Sequence, residues 1–171
     1  MRKILLSLLT VAAMGTAFAQ VPDLNPPKEI EELAWLKGNW AGSSKFSFGG
    51  MELEVSTKMS VSMDGQFLKS VSTNDYGMLQ ATETMLLGYD AAKNSYFAYA
   101  FTNMAPTPRK ENGKMEGGSL VMVSDPWDIM GQATVSRGTM TKLSDTKLKF
   151  KLEFKAGDGW ELASEMEMTK Q

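Results

Sequence analysis

From Met51 to Met63 the chain alternates without a break. Met51, Leu53, Val55, Thr57, Met59, Val61 and Met63 fall on one side, and Glu52, Glu54, Ser56, Lys58, Ser60 and Ser62 on the other. A period of two sustained this far is a β-strand with one apolar and one wet face, and no helix can satisfy it. Asp64-Gly65 follows as a hairpin turn, and Phe67 to Thr73 supplies the partner strand. The pattern recurs in Met78 to Tyr89, Ser95 to Thr102, Gly118 to Ser124, Gln132 to Leu143, Lys147 to Lys155 and Trp160 to Thr169. Turn residues such as Asp90 to Asn94 and Gly157-Asp158-Gly159 separate these runs. Asn103 to Gly113 reads as a Pro-containing loop, and Asp125-Pro126-Trp127-Asp128 as a break. The spacing predicts an all-β fold of about ten strands. Long strands with one apolar face expose dangerous edges unless the sheet closes, and a meander closes most simply as an antiparallel up-and-down β-barrel. A barrel of that size can hold a small ligand in its interior. The Glu and Lys on the outward faces of 51–63 and 147–155 exclude a lipid-facing barrel.

The N-terminal stretch follows other rules. Arg2 and Lys3 precede an apolar run from Ile4 to Ala13, and Ala17-Phe18-Ala19 has the small-x-small form of a cleavage site. Residues 1–19 therefore read as a secretory signal cut after Ala19, which implies a periplasmic or secreted protein with no membrane insertion after cleavage. A mature chain of 171 − 19 = 152 residues makes one domain. Residues 20–27 read as a tether with Pro22, Pro26 and Pro27, and 28–171 as the barrel domain. Ile30, Leu33 and Leu36 share a helical face, with Glu29, Glu31 and Glu32 at the positive end of the dipole, so one short helix is expected before Gly38.

Leu33-Ala34-Trp35-Leu36-Lys37-Gly38-Asn39-Trp40 resembles the helix and Gly-x-Trp start of calycin-type barrels, which include lipocalins and nitrobindin-like proteins. Three further stretches resemble a secreted bacterial family, a domain of unknown function with a lipocalin-like barrel. They are Met85 to Asp90 with Tyr96 to Phe101, Asp125-Pro126-Trp127, and Ser136-Arg137-Gly138 through Gly157-Asp158-Gly159-Trp160. The resemblance implies that Gly38 and Trp40 close one barrel end. In lipocalins that tryptophan stacks on an arginine, usually from the last strand. Here the last strand has only Lys170, which leaves Arg137 as the strand arginine for a cation–π contact. In nitrobindins a histidine holds haem iron, and this chain has no histidine.

Composition narrows the chemistry. The chain has no Cys and no His, so disulfides, thiolate or imidazole metal sites and Ser-His-Asp triads are out. Without Arg2 and Lys3, 18 − 2 = 16 basic residues face 20 acidic ones, a poor balance for nucleic acid or anionic membrane. No Gly-rich phosphate cradle occurs. No cofactor and no metal are expected. Met59/Met63 and Met166/Met168 have spacings that soft thioether ligation of Cu(I) could use, but their strand-mates make them core or lumen residues. Asp125 and Asp128 offer too few oxygens for a cation. Glu83 lies in register with Leu79, Ala81, Met85 and Leu87, and Arg137 with Ala133, Val135 and Thr139, so both stand on largely apolar faces where a charge must be paired. Tyr96, Phe97, Tyr99 and Phe101 supply an aromatic strand with one face inward. The expected ligand-binding set is Met59, Met63, Glu83, Met85, Phe97, Tyr99, Phe101 and Arg137, around a small and mainly apolar molecule. The segment Asn103 to Lys110 is placed to gate the mouth. The rivals are a structural or interaction module filled by its own side chains, and a hydrolase-type enzyme using Glu83, Tyr99 and Arg137.

Overall fold

The structure is a computed structural model and describes residues 24–129 and 131–171. The leader expected at 1–19 and the start of the expected tether lie outside the described residues. A short helix α1 (Lys28–Glu31) and a 3-10 turn (Ala34–Leu36) precede β1 (Gly38–Phe48), β2 (Met51–Asp64), β3 (Phe67–Asp75), β4 (Gln80–Asp90), β5 (Ser95–Thr102), β6 (Arg109–Glu116) and β7 (Ser119–Ser124). Then come β8 (Trp127–Ile129), β9 (Gln132–Thr134), β10 (Ser136–Lys142), β11 (Lys147–Ala156) and β12 (Gly159–Lys170). Ten of these close into a barrel in the order β1-β12-β11-β10-β7-β6-β5-β4-β3-β2, while β8 and β9 form a separate hairpin. Every barrel pairing is antiparallel, so closure leaves no free edge.

The register settles which side chains face inward. Trp40 pairs with Met59, Met59 with Ser72, Ser72 with Glu83 and Glu83 with Thr102. Paired residues share a sheet face, so the predicted inward stripe of β2 continues inward across the neighbouring strands.

One end of the barrel is plugged. The predicted face of Ile30, Leu33 and Leu36 is buried there as a unit. The expected single helix is split, because Leu33 leaves helical geometry (φ −90°, ψ 3°) and the chain tightens into the 3-10 turn before entering β1. Trp40 is 1% exposed, donates its indole N–H to Leu36 O at 2.6 Å and meets Trp35 edge-on at 6.4 Å. The Tyr96 hydroxyl donates to Glu29 O at 3.2 Å, tying α1 to β5.

Three segments depart from the sequence expectation. The Pro-containing loop ends earlier than expected, at Pro108, and β6 begins at Arg109. The run Gln132 to Leu143 breaks at Val135 into β9 and β10. The stretch from Asp125 is not only a break, because Trp127 to Thr134 folds into the β8–β9 hairpin.

Gly113 shows how tightly β6 is held. It pairs with Tyr96 on one side and Met122 on the other, and a Cβ there would lie 2.0 Å from Val121 O and 2.5 Å from Met122 Sδ. Backbone cannot yield to a methyl group without parting two strands. Gly113→Ala is expected to cost about 2 kcal/mol in a urea unfolding series. A loss below about 0.5 kcal/mol would show that β6 is free to slide.

Candidate functional site

Opposite the plug the barrel opens. A cavity of about 610 Å³ occupies the interior. Its walls carry Met59, Val61, Leu87, Met122, Met140 and Met168, all from inward strand positions. The rim carries Met51, Met78 and Leu79, which are 49%, 91% and 38% exposed, so the cavity communicates with solvent through an apolar mouth. Three polar lining residues are satisfied: Ser164 Oγ lies 2.8 Å from Ser44 Oγ, and Thr57 Oγ1 donates to Asn74 Oδ1 at 2.7 Å. Paired polar groups leave the surrounding wall effectively apolar.

The charged groups of the lining converge on one guanidinium. Arg109 and Glu111 stand two residues apart on β6, so both project into the lumen, and Glu83 reaches them from β4. Arg109 donates Nη1 to Glu83 Oε2 at 2.9 Å and Nη2 to Glu83 Oε1 at 3.2 Å, a two-pronged pairing. It also donates Nε to Glu111 Oε1 at 2.6 Å. The Trp127 ring covers the guanidinium at 4.8 Å, which brings the β8–β9 hairpin onto the charged trio. Burial alone would depress Arg109, but the two carboxylates outweigh it and hold its pKa above the ordinary arginine range. The Tyr76 hydroxyl is pushed upward, first by burial and then by the negative charge of Glu83. Trp127 Nε1 is a buried donor with no hydrogen-bond partner among the described residues. Among those residues no group of acidic side chains could hold a metal ion.

The predicted site residues divide. Met59, Glu83 and Met85 line the cavity. Met63 faces inward but packs against the plugged-end core rather than lining the cavity. Phe97, Tyr99 and Phe101 point outward, contrary to expectation. The inward set of β5 is Tyr96, Ala98, Ala100 and Thr102, with both alanines at most 1% exposed. Phe97 instead lies on the outer wall over Gly88, against Phe67 at 6.3 Å, and Tyr99 and Phe101 are 41% and 53% exposed. Arg137 is outside too. The inward residues of β10 are Ser136, Gly138 and Met140, while Arg137 pairs across to Glu153, donating Nε to Oε2 at 2.7 Å, and lies 4.5 Å over Trp160. That hydrogen bond holds the Glu153 carboxyl below its ordinary range. The contact expected between Trp40 and Arg137 does not form. Lys170 Nζ of the last strand takes the place, 5.1 Å over Trp40 and 3.3 Å from Trp35 O. The enzyme set of Glu83, Tyr99 and Arg137 is therefore divided by the barrel wall. Sequence reasoning missed Arg109, Glu111 and Trp127. The Arg109-x-Glu111 spacing was the available signal, because in a strand it puts both charges on one face.

Comparison with curated proteins finds no match. Solved structures share the fold. Rv2717c from M. tuberculosis superposes with a TM-score of 0.63 at 13% identity, over 86% of this chain and 99% of that one. The S-type phycobiliprotein lyase CPES from Guillardia theta superposes with a TM-score of 0.57 at 9% identity, over 82% of this chain and 91% of that one. At these identities the likeness is one of architecture. The family comparison reaches further, because the pattern of a protein family of unknown function, DUF1579, matches residues 25–170, and the chain belongs to that family.

Proposed function

We propose that this protein is a non-catalytic binder of a small, mainly apolar molecule, secreted by the leader read at residues 1–19, and that the ligand sits in the barrel interior. The observation that carries the reading is the cavity of about 610 Å³ with Met and aliphatic walls and an apolar rim. Ligand pockets typically run about 300–1,000 Å³, with apolar walls and a few convergent polar groups. The methionines suit such a wall, because an unbranched thioether adapts to irregular shapes. A barrel shared with a protein named as a phycobiliprotein lyase is compatible with small-ligand binding.

Native mass spectrometry on protein purified without detergent tests this. The expected result is a reproducible extra mass that leaves on denaturation. Ser72 lines the cavity from β3 and is small. Ser72→Trp is expected to fill the lumen, leave the strand content by circular dichroism unchanged and abolish the extra mass. Retention of the extra mass by folded Ser72→Trp would place the ligand elsewhere and sink the reading.

A further inference from the structure

Arg109 is the sole cation among the described residues lining the cavity. A lone lumen arginine would ordinarily mark a site for a ligand carboxylate. Here every nitrogen of the guanidinium already donates to a carboxylate, and three of its five N–H bonds are engaged: one each from Nη1 and Nη2 with Glu83, and Nε with Glu111. Trp127 covers its face. The trio sets two carboxylates against one guanidinium, a formal excess of −1. The remaining carboxylate of the lining, Glu52, is paired with Lys45 at 2.7 Å. Glu83, with its side chain 23% exposed, keeps surface toward the cavity. Excess negative charge among apolar walls attracts a cation and repels an anion more strongly than it would in water. Aromatic rings line the same cavity. Phe46 lies 5.6 Å from Tyr76 and 6.3 Å from Phe154, and an ammonium group is held by ring faces as well as by carboxylates.

We propose that the molecule taken by the lumen is a cationic amphiphile, an apolar body carrying one ammonium group that sits beside Glu83 and Glu111, and that the matched carboxylate is rejected. This rests on the lumen-binding reading and adds the sign of the ligand's charge to it.

The test is calorimetric titration of the purified protein with dodecyltrimethylammonium and dodecanoate, each below its micelle concentration, and with dodecanol below its solubility limit. The ammonium probe is expected to bind about ten-fold or more tightly than dodecanoate, with dodecanol between them. Glu111→Gln and Glu83→Gln each remove the excess charge, and in each the ratio is expected to collapse toward unity. Unchanged strand content by circular dichroism in those variants shows that the barrel is intact. Binding of dodecanoate as tight as the ammonium probe overturns the inference and leaves lumen binding standing, as does a ratio that survives in both variants. Failure of all the probes, dodecanol included, overturns both readings together.

Discussion

Arg109→Met is expected to destabilise the barrel by about 3–5 kcal/mol at neutral pH, the loss typical of removing one partner from a buried ion pair. The side chains of Arg109, Glu83 and Glu111 are only 14%, 23% and 11% exposed. Without the guanidinium, the two carboxylates would confront each other across a lumen with no other cation among its described lining residues. Both the desolvation already incurred and the new repulsion then go uncompensated. The methionine keeps most of the volume, so a packing defect is not the source. The companion variant Glu83→Gln/Arg109→Met/Glu111→Gln removes every charge of the trio and is expected to recover most of the loss, because neutral groups need no counter-ion. Urea unfolding at neutral pH measures both. A loss below about 1 kcal/mol in Arg109→Met would show that lumen water supports the carboxylates by itself, as it does for exposed pairs.

That the trio escaped sequence reading has the same physical origin as its effect. Strands are found by apolar residues recurring at a period of two. β2 obeys the rule over its whole length, and it was legible to within one residue, ending at Asp64 rather than Met63. The inward positions of β6 are Arg109, Glu111, Gly113 and Met115, so the charged site itself erased the pattern that would have revealed the strand. β5 failed differently. Its outward residues are larger and more aromatic than its inward ones, because Ala98 and Ala100 leave room inside while Phe97 finds Gly88 on the outer wall. Size therefore pointed to the wrong face. For Arg137 the break at Val135 matters: the apolar register extrapolated from Ala133 does not pass through it. Cross-strand partners decided instead. On the outer face Arg137, Thr139 and Thr141 meet Glu153, Lys151 and Lys149, a row that belongs in water. Strand identity and closure were legible because they follow from period and turn chemistry. The site was not, because it departs from the period.

A hollow barrel concentrates its core, and this makes Trp40 the residue whose truncation should cost most among the apolar ones. The interior volume that a filled barrel would pack with side chains is cavity here, so the plugged end carries the cohesion. Ile30, Leu33, Leu36, Leu68, Leu148 and Met168 gather there with Trp40 in one buried cluster. Trp→Ala at such a site typically costs about 3–5 kcal/mol, and the upper part of that range is expected for Trp40→Ala. The void would adjoin a lumen that cannot collapse onto it, and the substitution also strips the donor from Leu36 O at the end of the 3-10 turn. Two milder variants separate the contributions. Trp40→Phe keeps a ring against Trp35 but loses the indole N–H, and is expected to cost about 1–2 kcal/mol. Lys170→Met removes the ammonium over the ring and is expected to cost less than about 1 kcal/mol, because that side chain is only half-buried. The order Ala, Phe, then the lysine variant, measured by urea unfolding, is the signature of a tryptophan that closes the barrel by volume first and hydrogen bonding second. If Trp40→Ala and Trp40→Phe cost the same, closure rests on the hydrogen bond to Leu36 O, and the packing of the plug is secondary to the turn that it anchors.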